Sequence, residues 1–165
     1  NTPYDCGIIM CSDQDALTHA LHQQGSYIQS SDERDSMNFT PDMSRRARGI
    51  ELWACMRYLG RNGIAQLVEL LHQHAVYIAE QLARNGFKVL NDVVFNQVMI
   101  QCENDHVTQG TLEALQQSGE LWCGGAQWQG RSIIRISICS WATTAEDIDR
   151  SVATFIQAHR SALSG

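Results

Sequence analysis

Lysine is almost missing: Lys88 is the single instance in 165 residues, so the sequence offers one side-chain amine. No apolar run approaches the length of a membrane span, which argues against a bilayer-crossing helix, and no signal peptide is recognisable. An excess of positive charge is missing too. A net charge of -6, a pI near 5.4 and aromatics that are not interleaved with basic residues argue against a nucleic-acid surface. The six cysteines (Cys6, Cys11, Cys55, Cys102, Cys123, Cys139) form no CxxC pair. Most sit in apolar stretches, the pattern of buried, reduced thiols in a cytosolic protein. No metal site is expected. His72 and His74 are two apart and point in different directions on a helix, while His19 and His22 have no suitable Cys or acidic ligand nearby and read as surface residues. Internal repeats and low-complexity segments are absent.

What is present suffices for a sizeable core: 44% hydrophobic residues and four tryptophans, in one domain or one domain plus a piece of another. The chain opens Asn-Thr-Pro, with neither Met nor a targeting pattern, which leaves a start in the middle of a domain open.

Periodicity organises the chain. Cys6-Gly-Ile-Ile-Met-Cys11 predicts a short buried strand, and Ser12 then caps a helix carrying Ala16, Leu17, Ala20 and Leu21. Residues 23–42 are polar apart from Tyr27, Ile28, Met37 and Phe39; a loop this long is either a lid or binding loop or a connector. Gly60 and Gly63 mark a break. A long amphipathic helix follows to about Arg84, with Leu67, Leu70, Leu71, Ala75, Ile78 and Leu82 as its stripe and Gly86 as its stop. Strands are expected over 87–90 and 95–102, a helix over 107–117 ended by Gly119, and a hairpin of 121–128 and 132–139 turning near Gly130. The last helix opens with a capping box at Thr143 and Glu146 and carries Ile148, Val152, Phe155 and His159 on one face. This order predicts an α/β chain whose C-terminal part is α+β, a small antiparallel sheet with helices packed on one face.

Two arginine arrangements ask for anions. Pro41 and Ser44 read as helix start signals, with Ile50, Leu52, Trp53 and Met56 following at helical spacing, so Arg45, Arg46 and Arg48 fall in the opening turn. Cations there oppose the helix dipole unless an anion is close. That anion is either a carboxylate of the chain (Asp42, Glu51 or the cluster of Asp32, Glu33 and Asp35) or a bound phosphate or carboxylate. In Ile133-Ile-Arg-Ile-Ser-Ile138, alternation puts Ile134, Ile136 and Ile138 towards the helices and Arg135 on the other face. Its partner is either an internal carboxylate, such as Asp92 or Asp105, or an anionic substrate group.

Asn1-Thr-Pro-Tyr-Asp-Cys-Gly7, Ser44-Arg-Arg-Ala-Arg48 with Trp53, and Arg135-Ile-Ser-Ile-Cys-Ser140 occur in an order and spacing that resembles the C-terminal portion of the pyridoxal-phosphate-dependent group II decarboxylases. That family includes aromatic-amino-acid, histidine and glutamate decarboxylases. Asn91-Asp-Val-Val94 and Trp141-Ala-Thr-Thr144 look like a bacterial branch. The resemblance covers essentially the whole chain and implies a fold-type-I enzyme. Residues 1–66 would then be the end of the large cofactor domain, including the mobile loop 23–42, and residues 67–165 the small C-terminal domain.

By the same resemblance, the lysine that binds pyridoxal 5'-phosphate covalently lies upstream of the segment matching Asn1, and Lys88 does not match its motif. The chain is thus expected to be a fragment, inert alone, of a cytoplasmic homodimeric enzyme acting on an amino acid as its small-molecule substrate. Its partners would be the upstream large domain and a second subunit. Tyr27 matches a mobile-loop tyrosine associated with protonating the carbanion, against the plainer reading of a packed loop aromatic. Met43 and Ser44 match positions where a neighbouring subunit reaches the substrate side chain and the cofactor phosphate, with Arg45, Arg46 and Arg48 steadying that corner or bracing the dimer. Arg135 matches an arginine placed to meet a substrate carboxylate or kept as a structural ion pair. Two alternatives stand beside this reading: another fold-type-I activity, an aminotransferase or lyase, and a non-catalytic assembly or regulatory module.

Overall fold

The computed structural model describes residues 6–22 and 34–164. The chain packs as two units that part between Tyr58 and Leu59.

The N-terminal unit is sparse. Helix α1 (Gln14–Leu21) is capped by Asp13, whose carboxylate accepts the Ala16 N–H at 2.9 Å, one residue beyond the expected Ser12. A 3₁₀ turn (Ser36–Phe39) follows, with the Arg34 guanidinium 4.5 Å from the Phe39 ring centroid. The expected strand over residues 6–11 does not form. Among the described residues it has no pairing partner, and Ile9 and Met10 are exposed by 77% and 93%. An apolar run without a neighbouring strand leaves its backbone groups to water.

Helix α2 spans Gly49–Arg84. It starts after the arginines, not at Ser44. Arg48 N–H turns back to the Arg46 carbonyl at 2.8 Å, which keeps the three guanidinium groups out of the positive first turn, where Glu51 sits instead. Gly60 interrupts it with φ 63° and ψ -176°, a combination open essentially to glycine. From Leu59 the chain belongs to the C-terminal unit.

That unit is a four-stranded antiparallel sheet with helices on one face. Strands β1 (Lys88–Val89), β2 (Gln97–Gln101), β3 (Gly124–Trp128) and β4 (Arg131–Ser137) lie in the order β1-β2-β4-β3. Gln129 and Gly130, both at positive φ (51° and 75°), close the two-residue β3–β4 hairpin at the expected place. Helix α3 (Asp105–Ser118) is capped by the Asn104 side chain on Val107 N–H at 2.9 Å and ends at Gly119 in the left-handed region. Helix α4 (Ala145–Ser164) carries its capping box one residue later than expected. The Asp147 carboxylate accepts the Thr144 N–H at 2.9 Å, while the Thr144 hydroxyl faces the Asp147 N–H.

The core joins Leu71, Ala75, Ile78 and Leu82 of α2, Leu115 of α3 and Ile148 and Phe155 of α4 to Val98, Ile100, Ile134 and Ile136 of the sheet. Leu70, expected in the α2 stripe, is instead exposed, and His74 takes a buried place on the same helix. The thiols also divide more evenly than expected. Only Cys102 and Cys123 are buried; Cys11 and Cys139 are exposed, and all six are free.

Candidate functional site

In the N-terminal unit, Met43, Ser44 and Arg45 follow one another on the irregular segment between the 3₁₀ turn and α2, all exposed. Neither Ser44 nor Arg45 commits its side chain to a hydrogen bond or ion pair among the described residues. Arg46 does meet Glu51, at 3.6 Å, so one of the carboxylates considered from sequence is used. With both groups half-exposed or more, that pair contributes at most ~1 kcal/mol and leaves the guanidinium able to move. Tyr27 lies outside the described residues.

Sequence reasoning did not identify the groove of about 420 Å³ in the same unit, lined by Gln14, Thr18, His19, His22, Arg34, Asp35, Asn38 and Phe39. The shared face of His19 and His22, three apart, was its one visible signal. Both histidines are exposed, as expected.

Arg135 belongs to the C-terminal unit. It sits mid-sheet on β4, paired with Met99 of β2 and Gly124 of β3. Ile134 and Ile136 turn inward on either side, 0% and 5% exposed, and Arg135 is exposed on the opposite face, as the alternation requires. Neither carboxylate considered for it is engaged. Asp105 instead accepts the Ser132 N–H at 3.1 Å, and no carboxylate among the described residues lies within ion-pair distance of Arg135. The guanidinium therefore faces solvent with its donors unspent, able to hold a carboxylate in the two-pronged manner peculiar to arginine.

Pyridoxal phosphate, the cofactor that the resemblance implies, needs an amine for covalent attachment and donors for its phosphate. Ser44 and Arg45 suit part of the phosphate site, being a hydroxyl and a guanidinium that are adjacent and uncommitted among the described residues. The covalent attachment finds no match here. Lys88, the one lysine, lies on β1 of the other unit, beside Gln101, Cys102 and Glu103.

One further cluster escaped sequence reasoning because it joins positions 56 residues apart. Glu103, just past β2, meets His159 of α4 at 2.8 Å, next to the buried thiol of Cys102. The histidine hydrogen bond holds the Glu103 carboxyl below the usual range, while burial pushes the Cys102 thiol up.

Residues 2–102 match the family described as "Pyridoxal-dependent decarboxylase conserved domain". Among curated relatives, the chain is 25% identical to histidine decarboxylase of Drosophila melanogaster, over 88% of this chain and 18% of that protein. It is 27% identical to histidine decarboxylase of Homo sapiens, over 89% of this chain and 23% of that protein. The chain thus spans about a fifth of the length of these relatives. Among solved structures, it superposes on Oryza sativa TDC with PLP and tryptamine at a TM-score of 0.77, with 16% identity, covering 90% of this chain and 34% of that one. For Rhodiola rosea 4-hydroxyphenylacetaldehyde synthase the TM-score is 0.76, with 20% identity over 90% of this chain and 32% of that one. These likenesses show the fold-type-I decarboxylase architecture that the sequence led us to expect. With a family match over more than half of its length, the chain belongs to the pyridoxal-dependent decarboxylase family.

Proposed function

We propose that this chain is the C-terminal part of a pyridoxal-phosphate-dependent amino-acid decarboxylase, a carbon–carbon lyase. The family match over residues 2–102 carries the proposal, and the unspent guanidinium of Arg135 supports it. Residues 1–66 then close the large cofactor domain, including the loop 23–42, and residues 67–165 form the small domain. The covalent amine comes from the upstream part of the same polypeptide. The working enzyme is a cytoplasmic homodimer with an amino-acid substrate, and this chain alone is inactive. Without the attachment lysine, neither the aminotransferase nor a simple lyase would work from these residues either.

When bound, the cofactor ring accepts the electron pair left as CO₂ departs. What remains for this chain is orientation and proton delivery. Arg135 grips a carboxylate of the substrate with two parallel N–H donors. Reaching in from the neighbouring subunit, Ser44 and Arg45 hold the phosphate, and Met43 lines the place of the substrate side chain. Tyr27 donates the proton to the α-carbon, since a phenol with a pKa of ~10 keeps its proton at neutral pH.

The test is turnover by the full-length protein loaded with pyridoxal phosphate, offered a panel of amino acids. CO₂ release is expected, and Arg135→Gln should lower kcat/KM by at least tenfold, ~1.4 kcal/mol of transition-state binding. Aldehyde is measured beside amine because aldehyde synthases are among the relatives. Amino transfer to a keto acid without CO₂ release, or a full-length protein with no cofactor absorbance, would overturn the reading.

A further inference from the structure

The end of β2 and the last turns of α4 bring together three side chains of different chemistry. The Cys102 sulfur, a Glu103 carboxylate oxygen and a His159 ring nitrogen all lie within 4.8 Å of one another. Their placement is enforced from several directions. Cys102 is 7% exposed and its backbone N–H is held by the Thr108 hydroxyl at 3.1 Å. The Phe87 ring packs against His159 at 5.0 Å between centroids, and Phe155 buttresses Phe87 edge-on at 5.8 Å. The imidazole therefore has little freedom to turn away.

We infer that Cys102, Glu103 and His159 form a binding site for a zinc-class divalent cation. The donor set decides the class: thiolate and imidazole with one carboxylate suit zinc or cobalt, whereas magnesium and calcium demand oxygen alone. Donors around a tetrahedral zinc stand about 3.5 Å apart, given bonds of about 2.0 to 2.3 Å. The widest separation must close by roughly 1 Å and the His159–Glu103 contact of 2.8 Å must open slightly, both within side-chain rotation. Binding expels the thiol proton to solvent. Thr111, whose hydroxyl now accepts from the Cys102 sulfur at 3.6 Å, then turns to donate to the thiolate, the outer-layer support that ligating sulfur needs.

A groove of about 480 Å³, lined by Gly86, Lys88, Gln101, Cys102, Glu103 and Arg131, opens beside two of the ligands. It leaves the fourth coordination position to water. Lys88 and Arg131 are the charges facing the site from that side, and their repulsion of a bare cation favours an anionic fourth ligand such as hydroxide or chloride. None of these residues takes part in the decarboxylase reading, so either proposal can fail alone.

Cobalt titration of the whole chain tests the site, because thiolate-bound Co²⁺ gives a near-ultraviolet charge-transfer band. One equivalent per chain is expected, displaced by zinc, with the band gone in Cys102→Ser. Glu103→Gln and His159→Gln should each weaken cobalt by at least tenfold, about 10–100-fold being usual for loss of a supporting group. Glu103 is exposed, so that variant stays interpretable even if Cys102→Ser unfolds. No band in the wild-type chain would overturn the site. So would a band surviving Cys102→Ser through the other five cysteines, or unaltered affinity in Glu103→Gln.

Discussion

An arginine among isoleucines has to find a carboxylate or reach water, and Arg135 reaches water. Removing it should therefore cost the fold almost nothing. Arg135→Gln is expected to leave the denaturation midpoint within the ~0.5 kcal/mol typical of surface changes, whatever it does to turnover. A loss of ~2 kcal/mol or more would mean a structural partner after all. His74 is the opposite case: 9% exposed, with its Nδ1 lacking any hydrogen-bond partner among the described residues. An orphaned buried polar atom costs ~1–3 kcal/mol, so His74→Leu should raise the thermal midpoint of this chain. An unchanged or lower midpoint would show that the nitrogen is satisfied in solution. Alternation made Arg135 legible in the sequence, because a period of two fixes which neighbours turn inward. The Cys102, Glu103 and His159 cluster was illegible, since no local spacing links position 103 to 159. Burial of His74 was likewise hidden: its place at helical spacing from Leu71 and Ile78 is equally consistent with a surface residue at the edge of the stripe.

Elements were more legible than their ends. Helices α3 and α4 and the hairpin at Gly130 follow from glycine punctuation and apolar period, and the structure has all three. The α4 start slipped by one residue because Thr143 and Thr144 each have an acid three positions on, Glu146 and Asp147, and sequence cannot rank two adjacent capping boxes. The arginine segment was misread for a related reason. Start signals at Pro41 and Ser44 were locally sound, but three cations in a first turn outweigh them, and the helix waits for Gly49. The cap that did form sets a pH response. The Thr144 N–H, then its hydroxyl, hold the Asp147 carboxyl below the ordinary aspartate value of ~3.9. A lowered folded value means that the contribution is complete above the unfolded pKa and is lost as pH falls through the folded one. Unfolding midpoints of wild type and Asp147→Asn should thus differ at neutral pH and converge at the acid end. Parallel curves down to the most acidic point would show that the cap contributes nothing.

For the whole molecule, the relevant quantity is the apolar surface that this stretch of chain leaves uncovered. Ile8, Ile9, Trp53, Met56, Trp122 and Trp141 are each more than half exposed. Periodicity alone placed Ile8 and Ile9 in a buried strand and Trp53 on a helix, and a large domain packed over them would reconcile that pattern with their exposure; Trp122 and Trp141 lie in stretches that read as strand and loop. Scattered apolar residues are normal on a soluble surface, so what makes these six informative is their size, three of them being tryptophan, a side chain that is highly buried on average. Burying such side chains is worth ~1.5–3 kcal/mol each, so association that hides only three or four offsets a substantial part of the entropy lost on pairing. The isolated chain should accordingly self-associate, with a sedimentation coefficient that rises over the micromolar range and falls back when Trp53 and Trp122 are replaced by serine. Supplying the upstream part that the proposed function calls for should suppress that association by covering the same groups. A chain that sediments as a monomer at every concentration would show that these side chains shelter one another in solution, and uncovered surface would then no longer point to a missing domain.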